Sequence, residues 1–173
     1  MSKKRETNPI LLDDAKLLAE EVMNQLRGVE DYYICGSIRR RREQIHDIDI
    51  VLIVNDRSEL ENSLGELEWC EPGPSGEKKI RIFYKTVQFD FFVAERDRLG
   101  AALMYATGDK IFNIAMRGVA RSLGFKLNEY GLWIKDRLIA AATEEEILHN
   151  LDKTHYLDPL SRNMSHKEYL QMR

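Results

Sequence analysis

The chain is 173 residues long, 43% hydrophobic and 32% charged, enough for one sizeable core or two small lobes. Its uncharged apolar runs, such as residues 50–54, are short, so nothing approaches the roughly 20 apolar residues of a membrane helix. A formal charge of −3, from 26 Lys/Arg against 29 Asp/Glu, excludes a surface that grips a polyanion all over but leaves room for a local basic face.

Residues 1–5 are basic, but no apolar stretch follows them, so no secretory signal is visible. Cys35 and Cys70 are too few for a disulfide framework or a four-ligand zinc site. An intracellular, reducing setting fits best. Charge is unevenly placed: residues 96–137 hold eight Lys/Arg and four Asp/Glu, leaving −7 for the rest. That asymmetry suits one lobe meeting a polyanion while another holds acidic chemistry. A randomly uneven solvated surface would look the same.

In chain order, residues 13–27 read as a helix, with Ala15, Leu18, Ala19, Val22 and Leu26 on one stripe and Gly28 at the C-terminal cap. A short strand is predicted at 32–35, ended by Gly36-Ser37, and a strong one at 48–54, rich in β-branched residues. Ser58 with Glu61 forms a capping box for a helix that stops at Gly65. The breaker cluster Glu71-Pro72-Gly73-Pro74-Ser75-Gly76 predicts a mobile loop. Strands at 79–84 and 87–93 follow, joined by a tight turn at Lys85-Thr86. Up to residue 95 the pattern is a mixed sheet with helices.

Beyond residue 96 the character changes. Helices are expected at 99–106 and 110–123, broken by Thr107-Gly108, then a small hairpin of 125–127 with 132–134. Thr143 with Glu146 caps a further helix to about residue 151, and the tail from Asp158 is polar and expected to be partly mobile. The organisation is α+β: a mixed-sheet lobe with flanking helices at 1–95, and a smaller lobe of helices and a hairpin at 96–173.

His46-Asp47-Ile48-Asp49 puts two carboxylates at i and i+2 of a strand, hence on one face. Like charges held close raise each other's pKa unless cations neutralise them, and hard divalent ions with oxygen ligands are the natural partners. Asp90 lies in the apolar strand 87–93, on the face opposite Val87, Phe89, Phe91 and Val93, where an acid is costly without a partner. Three acids on neighbouring strands could hold two metals about 4 Å apart for in-line phosphoryl displacement. An Asp-x-Asp pair is also a common strand-edge feature. What sharpens the reading is Gly36-Ser37 after a strand, where backbone N–H groups and a hydroxyl can meet an anion, with Arg39 to Arg42 supplying cations.

Gly36-Ser37, nine residues, then Asp47-Ile48-Asp49 resembles the signature of the DNA polymerase beta-type nucleotidyltransferase superfamily. Gly-Ser-Ile-Arg-Arg at 36–40, the segment 105–113, Met116-Arg117 and the segment 124–131 resemble family X DNA polymerases more narrowly. The likeness covers about residues 29–156. It implies a nucleotidyltransferase palm and a nucleotide-binding lobe. It also implies addition of deoxynucleotides to a primer 3′-hydroxyl with release of pyrophosphate, as in short-gap filling during repair. Asp47, Asp49 and Asp90 would be the catalytic metal ligands for two magnesium ions, or manganese in their place. Gly36, Ser37 and Arg40 would hold the triphosphate, Arg39 being left between that role and a structural one. Tyr105, Gly108 and Asn113 would meet the nucleotide. Arg117 and Arg121 would meet DNA; with Lys110 and Asn113 they fall at i, i+3, i+7 and i+11, one polar stripe of a helix. The implied partners are a primer–template or gapped duplex and deoxynucleoside triphosphates, with no membrane and a working monomer.

Departures matter as well. Tyr105-Ala106 replaces an aromatic pair, which predicts weaker nucleotide binding and looser discrimination against ribonucleotides. Asp109-Lys110 departs from the usual Ser-Asp. His46 stands where a small residue is common, and Gln88 where some relatives carry an arginine near the third acid. Only about 30 residues precede Gly36, so the family's N-terminal lyase domain is expected to be missing, and with it lyase activity. The chain then resembles the minimal polymerases of large DNA viruses, with a cytoplasmic or viral setting. Lys78 and Lys79, at the end of the Pro72–Lys79 loop and followed by Arg81, are expected to supply part of the missing grip on DNA. An untemplated, small-molecule or protein nucleotidyltransferase remains the alternative, as does a non-catalytic DNA-binding module.

Overall fold

In the computed structural model, which describes residues 8–171, the run Asp47–Val54 becomes an interior strand of a five-stranded sheet. The basic segment at residues 1–5 lies outside the described residues. The chain divides into two units between Val93 and Ala94, each with its own apolar core.

The first unit runs β1 (Ile10–Leu11), α1 (Leu12–Met23), β2 (Val29–Ile34), α2 (Gly36–Arg39), β3 (Gln44–Ile45), β4 (Asp47–Val54), α3 (Arg57–Glu66), β5 (Cys70–Pro72), β6 (Lys79–Tyr84) and β7 (Val87–Val93). The large sheet has the order β2-β4-β7-β6-β5, and only the β4–β7 pair is parallel. Because β4 is flanked on both sides, Ile48, Ile50, Val51 and Leu52 are all fully buried, which explains its continuous apolar run. The carboxylates sit at the strand's opening, where burial is incomplete. Ile10 and Ile45 pair β1 with β3 in a two-residue ribbon too short to leave a periodic signal.

Three local expectations need correction. α1 ends at Met23 rather than near 27, with Asn24 as its cap. Gly28 instead opens the turn into β2: its φ is +72° and a side chain there would run into the Asp56 backbone. The cap of α3 is Asp56, whose side chain accepts from the Glu59 N–H at 2.9 Å, so the helix starts before the Ser58–Glu61 box. The breaker cluster is not a free loop. Its first residues form β5, and the Gly73 and Gly76 N–H groups donate to Arg81 and Lys79 carbonyls at 2.8 and 2.7 Å.

The second unit opens with a 3₁₀ turn (Arg96–Arg98) and continues with α4 (Leu99–Thr107), α5 (Lys110–Ser122), β8 (Lys126–Asn128), β9 (Gly131–Ile134), β10 (Arg137–Ala140) and α6 (Glu144–Asn150). Two further 3₁₀ turns, Thr154–Tyr156 and Pro159–Arg162, and α7 (His166–Gln171) complete it. β10 extends the hairpin to three strands; its short, bulged register carries little alternation to read. Thr143 caps α6 as expected, accepting from the Glu146 N–H at 3.1 Å.

The tail is packed rather than loose. Arg162 is fully buried, ion-paired to Glu144 at 2.6 Å, and donates to the Tyr156 and Leu157 carbonyls at 2.7 and 3.3 Å. Met164 joins the core, and its N–H donates to Asp109 at 3.2 Å. Among the described residues, no helix is long and apolar enough to cross a membrane.

Candidate active site

The parallel register of β4 and β7 sets Asp47 opposite Gln88 and Asp49 opposite Asp90. Paired positions project to one face of a sheet, as do residues two apart. Asp47, Asp49 and Asp90 therefore share a face. Asp90 is only 4% exposed, while Asp47 and Asp49 are partly buried. The antiparallel register of β6 and β7 adds Arg81 opposite Asp90. Its guanidinium forks onto the carboxylate, Nε to Oδ1 at 2.5 Å and Nη2 to Oδ2 at 2.7 Å. Lys79 Nζ reaches Oδ2 at 2.8 Å and lies over the Phe92 ring, 4.6 Å from its centroid. Gln88 Nε2 stands 3.4 Å from the same oxygen.

This row of charge separates the acids. Burial, then the charges of Asp47 and Asp90, push the Asp49 carboxyl up to about 8, against a partial offset from Lys79 and Arg40. Burial would also raise Asp90, but the hydrogen bonds from Arg81 and Lys79 outweigh it and hold its pKa below the usual carboxylate range. Arg81 is in turn raised, first by its hydrogen bond to Asp90.

Gly36 closes the other side of Asp49. Its φ is +57°, and the Asp49 carboxylate occupies the space a Cβ would need, so both conformation and room call for glycine. The Cys35 N–H donates to the Asp49 carbonyl at 2.7 Å, tying the end of β2 to β4. One residue on, the Ser37 hydroxyl is buried and meets no partner in the protein. Such a group is costly unless something arrives to bond it. A phosphate oxygen would do so, beside Arg40, which sits close enough to bias Asp49 electrostatically.

Among the described residues, no three His, Cys, Asp or Glu side chains are drawn together closely enough to cage an ion. Arg81 and Lys79 hold the third carboxylate instead. The donor set still suits a hard divalent cation. Carboxylate oxygens share one face, and burial together with the neighbouring like charges gives Asp49 a proton affinity that a bound cation would lower.

In the second unit, Phe112, Ala115, Met116 and Ala120 bury one side of α5, with Ile111 and Val119 packed beside them. Lys110, Arg117 and Arg121 are exposed and Asn113 partly so. Asp109 caps this helix, its side chain accepting from the Phe112 N–H at 2.8 Å, which gives this residue a structural role. Asn113 Nδ2 donates to the Tyr105 carbonyl at 2.8 Å, and the absent side chain of Gly108 leaves room for the Asn113 amide. Met104, Tyr105, Asn113, Arg117 and Asn128 line a small cleft. Tyr105 is 38% exposed; Ala106 is buried and lies outside that lining.

Lys78 is exposed at the end of its loop, whereas Lys79 turns to Asp90. His46 is exposed just before the acids. Sequence reasoning assigned Arg81 no place at Asp90, yet the signal was present. A two-residue turn at Lys85-Thr86 pairs Tyr84 with Val87 and carries the count back to Arg81 opposite Asp90.

The family profile described as DNA polymerase beta thumb matches residues 102–163. The repair DNA polymerase X of African swine fever virus (isolate Tick/South Africa/Pretoriuskop Pr4/1996) is 28% identical over 158 residues, which cover 84% of this chain and 91% of that protein. The DNA polymerase/3′-5′ exonuclease PolX of Bacillus subtilis strain 168 is 29% identical over 117 residues, 65% of this chain and 20% of that one. Among solved structures, a ternary primer–template complex of Leishmania infantum polymerase beta superposes with a TM-score of 0.77 at 22% identity, over 90% of this chain and 77% of that one.

Proposed function

We propose that this chain, which belongs to family X of the DNA polymerases, is a DNA-directed repair polymerase that adds deoxynucleotides to a primer 3′-hydroxyl and releases pyrophosphate. The observation that carries the reading is the pairing of Asp49 with Asp90 on parallel strands, with Asp47 on the same face and Gly36 against Asp49. Asp47, Asp49 and Asp90 are the residues that would hold divalent cations, magnesium foremost. Cations bound there would offset the charge that builds at the α-phosphate and lower the pKa of the 3′-hydroxyl, so that its deprotonated oxygen becomes the better nucleophile.

The chain's own residues do the rest. Ser37 offers its unpartnered hydroxyl to a triphosphate oxygen, and Arg40 adds a positive charge where negative charge builds on the leaving pyrophosphate. Gly36 lets the Asp49 carboxylate lie directly against the backbone. In the second unit, Tyr105, Gly108 and Asn113 form the nucleotide contacts. Arg117 and Arg121, exposed on α5, contact DNA, and Lys78 adds a further phosphate contact.

The test is incubation with magnesium, labelled deoxynucleoside triphosphates and a one-nucleotide-gapped duplex. Template-matched extension is expected. Untemplated addition, or DNA binding without extension, would overturn the proposal.

A further inference from the structure

Three cationic or amide groups meet the Asp90 carboxylate, and they are held in different ways. Lys79 reaches one carboxylate oxygen from a side chain 42% exposed that also lies over the Phe92 ring, and Gln88 makes a long contact of 3.4 Å. Arg81 makes two contacts at once, to both oxygens, from a strand position directly opposite. A fork of this kind fixes the plane of a carboxylate, which a single ammonium cannot do.

The Arg81 side chain has a seat of its own. A Cβ at Gly73 would fall 2.7 Å from Arg81 Cγ and 3.1 Å from Cβ and Cδ, so glycine makes room there for the arginine stem. The Gly73 N–H donates to the Arg81 carbonyl at 2.8 Å. The Arg81 N–H donates to Ser75 Oγ at 3.1 Å, and that hydroxyl donates to the Gly73 carbonyl at 3.1 Å. The turn after β5 is thus built around one residue of β6. Gly73 carries no left-handed φ, so its role is space alone.

From this geometry we propose that Arg81, seated on the Gly73–Ser75 turn, is the positioning residue of the third catalytic carboxylate, holding Asp90 in the orientation that metal binding and primer activation require. The inference rests on the polymerase reading above. The fork takes one lone pair of each oxygen, and Lys79 takes a second on Oδ2. Oδ1 keeps a lone pair for a cation, and on Oδ2 the groups that give way are Lys79, whose side chain is 42% exposed, and Gln88, whose contact is long. Gln88 cannot do the arginine's work on β7 itself, since an amide has neither the charge nor the fork. The neighbouring strand supplies both.

The experiment compares Arg81→Lys, which keeps the charge and loses the fork, with wild type, Gly73→Ala and Asp90→Asn. One arm measures gap-filling kinetics. The other titrates Mn²⁺ into the DNA-free protein by electron paramagnetic resonance, with Asp90→Asn defining the Asp90-dependent binding. Arg81→Lys should lower kcat by about 10- to 100-fold and weaken Asp90-dependent Mn²⁺ binding by a similar factor, with the nucleotide KM unchanged. Gly73→Ala should shift both in the same direction, and should add nothing in the Arg81→Lys background. Wild-type kcat and Mn²⁺ affinity in folded Arg81→Lys would overturn the proposal, as would a change confined to KM. Should the wild type fail to extend DNA, the polymerase reading falls while the Mn²⁺ arm still decides for or against Arg81.

Discussion

Asp49 and Asp90 lie side by side on paired positions of two parallel strands, and the protein drives their protons in opposite directions. Asp90 faces Arg81 and Lys79 across the sheet and is held ionised. Asp49 faces Asp47 and Asp90 from a confined position against Gly36 and is held up to about 8.

A pH dependence follows for the metal-free protein. Asp49 keeps its proton in the fold up to about pH 8 but loses it above about pH 4 in the unfolded chain. Between these values the folded state binds the extra proton, so stability falls as pH rises. Thermal melts in EDTA should show a falling Tm from pH 5 to 8, and Asp49→Asn should flatten that slope. Magnesium should raise Tm more at pH 8 than at pH 6, because an ion must displace the proton. A flat Tm profile for the wild type in EDTA would contradict this.

Asp90 has the opposite linkage. Its depressed pKa contributes stability above the ordinary carboxylate range that is lost in more acidic solution. Asp90→Ala strands Arg81 and Lys79 beside each other and should cost about 1–3 kcal/mol in urea unfolding at pH 7. Asp90→Asn, which keeps an oxygen acceptor, should cost less. Both should reduce extension to background, so a variant that still fills gaps would remove Asp90 from the chemistry.

Ser37→Ala separates binding from folding. The hydroxyl has no partner within the protein, so its removal should leave stability within about 1 kcal/mol of wild type or slightly higher. The nucleotide KM should rise by about 10-fold, the worth of one hydrogen bond to a charged oxygen. An unchanged KM would leave the buried hydroxyl without a ligand.

The C-terminal clasp is open to a stability test. Arg162 is fully buried on Glu144 and two backbone carbonyls. Arg162→Met would take the buried guanidinium away from the Glu144 carboxylate and should cost about 3–5 kcal/mol, read as a lowered urea midpoint. A loss under about 1 kcal/mol would show that the clasp is dispensable.

Sugar discrimination is the remaining expectation. With Ala106 inside the fold, Tyr105 is the aromatic ring of this pair that lines the cleft. The dGTP to GTP incorporation ratio should be lower than in relatives with two aromatic rings. Tyr105→Ala should lower it by up to about 10-fold more, the scale of one aromatic contact. A ratio unaffected by that change would place the sugar elsewhere.

Much of this was legible in the residues themselves. Alternation and β-branching located β4, β6 and β7 to within a residue, and the i, i+2 spacing put Asp47 and Asp49 on one face. The left-handed turn residues Lys85 and Thr86 (φ +47° and +72°) sit where the tight turn was expected. Less was legible at helix ends, where a distant backbone such as that of Asp56 decides whether Gly28 caps a helix or opens a strand. Lys78 and Lys79 read alike as loop lysines, and only the sheet register separates them.

Local sequence thus determined which residues are strand, which are helix, and which carry charge on which side, because those properties depend on neighbours three or four positions away. The tertiary structure decided which partner each of these groups meets. It set Lys79 and Arg81 against the Asp90 carboxylate, left the Ser37 hydroxyl unpartnered, and buried Arg162 in a tail that is polar by composition. These outcomes depend on strand pairing and desolvation, and both are set by segments far apart along the chain.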